Sequence, residues 1–198
     1  MLDRYIARQL ARPTGLGGRI IMGVINRQNR RMYEAVCENA PAVGNILDVG
    51  FGNGHCIEQL AKITDATIFG VDISEDMVRT ASKRNKKAAG EGKVILSHGS
   101  AEDIPFDERF DLIYTINTVY FWPDLDKGYE AIAQKLADNG AFLNLFYTKE
   151  VLDRTNKTQY GFAKYTADEL REAAERSGLA AEIKEIEKDV SYLVRAVK

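Results

Sequence analysis

The feature that most constrains this chain is the order of its apolar runs. From about residue 44, short β-rich segments alternate with longer helical ones. The first kind are NILDVG (45–50), ATIFGVD (66–72), VILSHG (94–99), FDLIYTIN (110–117) and GAFLNLFY (140–147); helical patterns over 54–63, 74–89 and 124–138 lie among them. Runs that are apolar throughout, rather than at alternate positions, belong to strands covered on both faces, and strands joined through helices run parallel. Ser74 ahead of Glu75 and Asp76, and Asp124 after Pro123, mark helix starts. Gly140 after LADN reads as a helix stop. In YTADELREAAERSGL (165–179), Thr166 and Glu169 form a capping box and Gly178 ends the helix. Two further β-like segments, AAEIKEIEKD and VSYLVRAVK, follow almost without a gap. A closing hairpin there adds one antiparallel strand to a parallel sheet.

A chain of 198 residues with 45% hydrophobic content fits one compact domain with a full core. Two cysteines, Cys37 and Cys56, are too few for a disulfide framework, and no CxxC pair suggests zinc; no metal site is expected. The apolar run Ile20 to Ile25 is too short to span a bilayer, and arginines rather than a leader core occupy the first turns, so a cytoplasmic protein is expected. The net charge of −2 hides an asymmetry. Residues 1–31 hold seven arginines (Arg4, Arg8, Arg12, Arg19, Arg27, Arg30, Arg31) against the single acid Asp3, which leaves 20 basic and 28 acidic residues for the remainder. A basic arm on an acidic body suits an anionic substrate, a nucleic acid or a membrane surface, or is a solvated helix face paired with that body.

The stretch ILDVGFGNGHCIEQL (46–60) reads as a strand, a tight turn and a helix. A dinucleotide turn has the spacing GxGxxG with pyrophosphate at the helix N-terminus. Here Gly50, Gly52 and Gly54 are spaced GxGxG, and His55 stands where the third glycine of the dinucleotide pattern would fall. Asp48, two residues before the first glycine, would repel a pyrophosphate and is costly to bury unpaired. It suits a cationic ligand such as an α-ammonium group or a sulfonium. Asp72 ends the next strand in GVDIS, twenty positions after Gly52, where an acid accepts from ribose hydroxyls; a helix-capping role is the competing reading.

With these residues in place, the chain resembles the class I S-adenosylmethionine-dependent methyltransferases, in their small-molecule, type 11-like branch. The resemblance rests on LDVGFGNG, GVDISEDMV, GSAEDIPF, FDLIYTINTVYFWPD and YTADELREAAERSGL, in that order, and covers about residues 40–198. It implies an α/β, Rossmann-like three-layer sandwich with a seven-stranded, mostly parallel sheet whose last strand is antiparallel, plus an N-terminal helical extension. It implies S-adenosylmethionine as cofactor and S-adenosylhomocysteine as product. Gly50, Phe51, Gly52 and Gly54 would border the methionine portion, with Asp48 orienting it. Asp72 would hold the ribose, Ile73 and Met77 the adenine face, and Ser100, Ala101 and Glu102 the adenine edge. Ser100 departs from the Asp frequent in the family, and a neutral oxygen makes the weaker bond there. Asn117 would lie beside the methionine part or the reacting methyl group, or else cap the following turn.

Beyond the fourth strand, NTVYFWPD faces the expected acceptor side. Tyr120, Phe121 and Trp122 wall a pocket or pack in the core; Tyr147, Tyr160 and Tyr165 are further pocket candidates. Tyr120, Trp122 and Tyr147 form the expected substrate pocket, with Tyr120 and Tyr147 as the catalytic candidates, since no motif names a general base. His98 reads as a core or edge residue and His55 as a contact for cofactor or lid. Residues 1–40 are expected to form a helical arm or lid hinged at Gly15, Gly17 and Gly18, and residues 41–198 the methyltransferase domain. The expected function is methyl transfer to a small-molecule acceptor. The alternatives are a lipid or quinone acceptor at a membrane surface, and a catalytically silent cofactor-binding protein. Nucleic acid is not expected as a partner, because the body is acidic.

Overall fold

The computed structural model describes residues 2–11, 15–154 and 156–198. Three helices come first: α1 (Leu2–Ala11), α2 (Gly15–Gln28) and α3 (Arg30–Glu38). Then follow β1 (Asn45–Val49), α4 (His55–Ile63), β2 (Thr67–Asp72), α5 (Glu75–Arg84), α6 (Lys86–Gly90), β3 (Val94–His98) and β4 (Phe110–Ile116). The chain continues through α7 (Leu125–Lys135), β5 (Leu136–Tyr147), α8 (Lys149–Leu152), α9 (Ala167–Arg176), β6 (Ala180–Glu187) and β7 (Ser191–Val197). The seven strands form one sheet in the order β3-β2-β1-β4-β5-β7-β6. β7 pairs antiparallel with both β5 and β6; the other pairings are parallel. Six strands therefore share a direction and the last in sequence opposes them.

Strand periodicity sends successive residues to opposite faces, and here both faces are apolar. Ile46, Leu112, Tyr114 and Leu143 pack under α3, α4 and α5, against Met32, Val36, Ile57, Leu60, Met77 and Ala81. Leu47, Val49, Ile113, Phe142 and Phe146 pack on the other side against Tyr129 and Ile132 of α7 and Leu170, Ala173 and Ala174 of α9. This is the three-layer sandwich. Asp124 caps α7 by accepting from Lys127 N–H, and the Thr166–Glu169 capping box starts α9.

Two boundaries differ from the sequence pattern. The helix expected over 74–89 divides at Asn85, whose buried amide donates to the carbonyls of Ala81 (3.0 Å) and Gly54 (3.1 Å). That second bond ties the end of α5 to the glycine turn. Helix α7 stops at Lys135, and β5 starts at once, pairing Leu136 with Phe110 before a register shift to Ala141 opposite Leu112. Gly140 is thus inside the strand and not a helix stop. A Cβ there would come within 2.6 Å of the Phe110 carbonyl oxygen, so the irregular pairing itself demands glycine. Because the obstacle is backbone, Gly140→Ala should cost about 1–3 kcal/mol of stability as overpacking does. Thermal unfolding would show it as a lowered midpoint; an unchanged midpoint would contradict this packing.

Candidate functional site

The strand order reverses between β1 and β4, where one crossover leads to β2 and another to β5. Open α/β sheets present a ligand crevice beyond the carboxyl ends of strands at such a point. The turn after β1 sits there. Gly50, at φ +82, donates its N–H to Val71 O (2.8 Å), and a Cβ on it would strike the Thr118 methyl. Thr118 is itself pinned: its hydroxyl bonds that of Thr115 and lies 3.3 Å from Val49 O. Gly52 donates its N–H to Asp72 Oδ2 and Ser74 donates its own to Asp72 Oδ1, both at 2.8 Å. Gly54, at φ +71, leaves room for Ala81 and Asn85 of the next helix, which a Cβ would meet at 2.7 Å. The first glycine thus admits the β4 loop, the second hands its N–H to Asp72, and the third lets α5 approach.

Asp48 is 4% exposed and faces the α3–α4–α5 layer. Its Oδ2 accepts from the Tyr114 hydroxyl at 2.7 Å, and Tyr114 is its direct partner across the β1–β4 pair. Burial pushes the Asp48 carboxyl up to about 8; the Tyr114 bond opposes this and the Asp72 carboxylate adds to it. Burial likewise raises the Tyr114 phenol and the Cys56 thiol. Tyr33 of α3 is also raised by burial, with Cys56 and Asp48 among the groups acting on it.

The remaining candidates are placed as follows. Phe51 turns inward, packing over Gly70, and Met77 is buried in the same cluster. Ile73 is 40% exposed, and the His98 ring lies 3.2 Å from its carbonyl. Ala101 is buried. Ser100 closes a turn with Asp103, its hydroxyl accepting from Asp103 N–H (3.1 Å), while Glu102 accepts from Asp124 N–H (2.8 Å). Asn117 has φ +58, the left-handed region that asparagine tolerates. Its Oδ1 accepts from the Tyr120 hydroxyl (2.8 Å) and from Tyr147 N–H (3.2 Å). Tyr120 is buried, stacked on Phe162, and Phe121 packs edge-on against both. Trp122 covers Gly128, meets Tyr129 edge-on and donates to the Thr118 hydroxyl (3.3 Å). Tyr147 is half-buried and Tyr165 packs at the core margin. Burial holds the Tyr120 and Tyr147 phenols above their ordinary range, and both donate, Tyr120 to Asn117 Oδ1 and Tyr147 to Gln28 O. His55 lies between Gln59 and Arg84, and burial followed by the Arg84 charge lowers it, so the ring is neutral at pH 7.

The N-terminal helices reach this crevice through side chains that sequence reasoning did not single out. Asn26 donates to Asn53 Oδ1 beside the glycine turn (3.4 Å) and accepts from the Tyr33 hydroxyl (3.0 Å). Asn29, 4% exposed, accepts from Asn117 Nδ2 (3.0 Å), and the Tyr147 hydroxyl lies 3.4 Å from Gln28 O. Arg4 of α1 stacks over the Tyr160 ring at 5.0 Å. Gly15, Gly17 and Gly18 fall in the first turn of α2; Arg12 and the side chain of Arg19 lie outside the described residues. Arg4, Arg8, Arg27, Arg30 and Arg31 are exposed. Among the described residues no cluster of His, Cys, Asp or Glu could hold a metal ion, and no helix is long and apolar enough to cross a membrane.

The sequence profile of the methyltransferase domain family matches residues 46–140. The uncharacterized methyltransferase YdaC of Bacillus subtilis is 30% identical over 156 residues, which is 78% of this chain and 83% of that protein. Further methyltransferases match over 80 to 115 residues and 26% to 54% of their own length, so this chain spans about half of them or less. Among solved structures, a SAM-dependent methyltransferase from Aquifex aeolicus superposes with a TM-score of 0.70 at 22% identity, covering 83% of this chain and 88% of that one. The YcgJ protein from Bacillus subtilis gives a TM-score of 0.74 at 18% identity, covering 85% and 98%. The fold is theirs.

The unfolded chain ionises an aspartate near about 3.9, whereas the folded protein keeps the Asp48 proton to about 8. Stability is then full below the unfolded value and is lost as pH rises between the two. The thermal midpoint should fall from pH 5 to pH 8, and Asp48→Asn, which cannot ionise, should flatten that fall. Parallel pH profiles for the two proteins would contradict the burial of this acid.

Proposed function

Because the chain belongs to the class I S-adenosylmethionine-dependent methyltransferases, in their type 11-like branch, we propose that it moves the methyl group of S-adenosylmethionine to a nucleophilic atom of a small-molecule acceptor. The transfer is an in-line displacement that leaves S-adenosylhomocysteine. The observation that carries this reading is the pair of buried carboxyl groups, Asp48 and Asp72, on either side of the glycine turn. A pyrophosphate would find no cation at Asp48, and the Gly52 N–H that could serve it is held by Asp72. A ligand with an ammonium group and ribose hydroxyls has a partner for each.

In this reading Asp48, Gly50, Gly52 and Gly54 border the amino-acid portion, with Phe51 anchoring their turn in the core. Asp72 accepts from the ribose while it holds the N–H groups of Gly52 and Ser74. Ile73 offers its exposed apolar side to the adenine with Met77 behind it, and Ser100, Ala101 and Glu102 line the adenine edge. Asn117 stands at the reacting centre, and Tyr120, Trp122 and Tyr147 wall the acceptor pocket. The cofactor supplies a methyl group already activated by positive sulfur. What the chain adds is position: reacting atoms held about 3–3.5 Å apart in a site from which water is excluded. Residues 1–40 serve as the lid over residues 41–198, latched at Asn26, Asn29 and Tyr147. The exposed arginines of that lid favour a second reading for the acceptor, a lipid or quinone taken at an anionic membrane surface. Sedimentation with anionic vesicles that weakens as salt is raised would select it; no sedimentation at low salt would leave the small-molecule reading alone.

Calorimetric titration with S-adenosylmethionine, S-adenosylhomocysteine and NAD should show binding of the two sulfur nucleosides and not of NAD. Asp72→Ala should weaken both by about 10- to 100-fold, the worth of a charged hydrogen bond or two. Binding of NAD alone would overturn the assignment of the turn.

A further inference from the structure

The Asp48 carboxyl is an unusual object even for a ligand site. It lies on the buried face of β1, and the polar and titratable groups facing it come from four elements: Tyr114 of β4, Cys56 of α4, Tyr33 of α3 and Asp72 of β2. None of these is a cation. Among the described residues, Oδ2 has the Tyr114 hydroxyl and Oδ1 has no hydrogen-bond partner. One phenol bond does not offset the desolvation of a carboxylate with no counter-charge, so burial selects the neutral acid.

We propose that Asp48 stands as a protonated acid in the protein alone, that the ammonium group of S-adenosylmethionine converts it to a carboxylate, and that cofactor binding is therefore linked to release of one proton. Tyr114 is the positioning residue: by occupying Oδ2 it leaves Oδ1 for the ammonium. The inference rests on the cofactor reading above and adds to it a coupled ionisation. In the step, the O–H bond of Asp48 breaks with its electron pair kept by oxygen. The proton passes to solvent buffer, and the ammonium keeps all three of its own. Binding then replaces a neutral acid by an ion pair, and the site admits the nucleoside well only when that nucleoside carries a cationic amino acid.

The linkage follows from the position of the Asp48 carboxyl at about 8. At pH 6.5 nearly every molecule holds the proton, and the cofactor's own amino group, ordinarily near about 8, is charged. Each binding event should release close to one proton. Over this range the affinity should rise about tenfold per pH unit, then pass through a maximum near about pH 8 as the cofactor's ammonium begins to lose its own proton. His55 meets the Tyr33 ring edge-on (5.5 Å between rings), and burial with the Arg84 charge lowers it, which disfavours the protonated ring.

The experiment is titration calorimetry of the intact protein with S-adenosylmethionine at pH 6.5, in phosphate and in bis-tris, whose heats of protonation differ. The difference in observed heat, divided by the difference between buffers, counts the protons. About one proton per cofactor supports the proposal, as does its absence with 5′-methylthioadenosine, which lacks the amino-acid portion. Asp48→Asn should bind S-adenosylmethionine with no proton release and with flat affinity between pH 6 and 7.5. Tyr114→Phe, which removes the bond favouring ionisation, should move the affinity maximum to higher pH. Binding of S-adenosylmethionine by the unaltered protein with the same heat in both buffers would overturn the proposal and leave the cofactor reading standing. No binding at all would overturn both.

Discussion

The site depends on one hydrogen bond in the wrong place for a hydrophobic sheet. Tyr114 donates to Asp48 across the β1–β4 pair, inside a layer otherwise filled by Ile46, Leu112, Leu143 and the helices above them. An acid in such a layer destabilises the fold as pH rises. A chain built only for stability would place leucine there. The cost falls where the strand order reverses, the point at which open α/β sheets take their ligands, as the proposed cofactor site requires.

Around that point the backbone is interlocked rather than merely packed. Thr118 fills the space that Gly50 leaves, Asp72 clasps the N–H groups of Gly52 and Ser74, and Asn85 reaches back to Gly54. The glycine turn is thus held by β2, by α5 and by the loop after β4 at once. Asn117 extends the same network outward, joining Tyr120, Tyr147 and, through Asn29, the N-terminal helices. A glycine turn held from three sides, with the N-terminal helices joined beside it by a few polar bonds, suits the proposed lid and site, which must exclude water and then release product.

Much of this was legible in the sequence because it rests on local chemistry. Seven β-like runs, the Asp124 cap, the Thr166–Glu169 box and the spacing of Asp48, Gly50, Gly52, Gly54 and Asp72 are all contained in short windows. What stayed hidden depends on contacts between distant segments. Nothing near Gly140 announces that the Phe110 carbonyl will crowd it, and so the sequence pattern carries α7 three residues too far along the chain. Tyr114 reads as one more apolar strand residue until the β1–β4 register sets it opposite Asp48. The aromatic run Tyr120 to Trp122 reads in the sequence as either pocket or core. In the structure Tyr120 and Trp122 are buried, yet the Tyr120 hydroxyl ends on Asn117 and Tyr147 at the crevice. Asn26, Asn29 and Asn53 carried no signal at all, since an asparagine latch between two elements has no spacing of its own.

The central claim is that a cationic nucleoside cofactor fills the crevice between Asp48 and Asp72. A crystal structure of the protein with S-adenosylhomocysteine tests it most directly. The account predicts the ammonium group within hydrogen-bond distance of Asp48 Oδ1 or a water on it, ribose hydroxyls on Asp72, and the adenine against Ile73. A ligand bound elsewhere, or one whose amino-acid portion points away from Asp48, would contradict it.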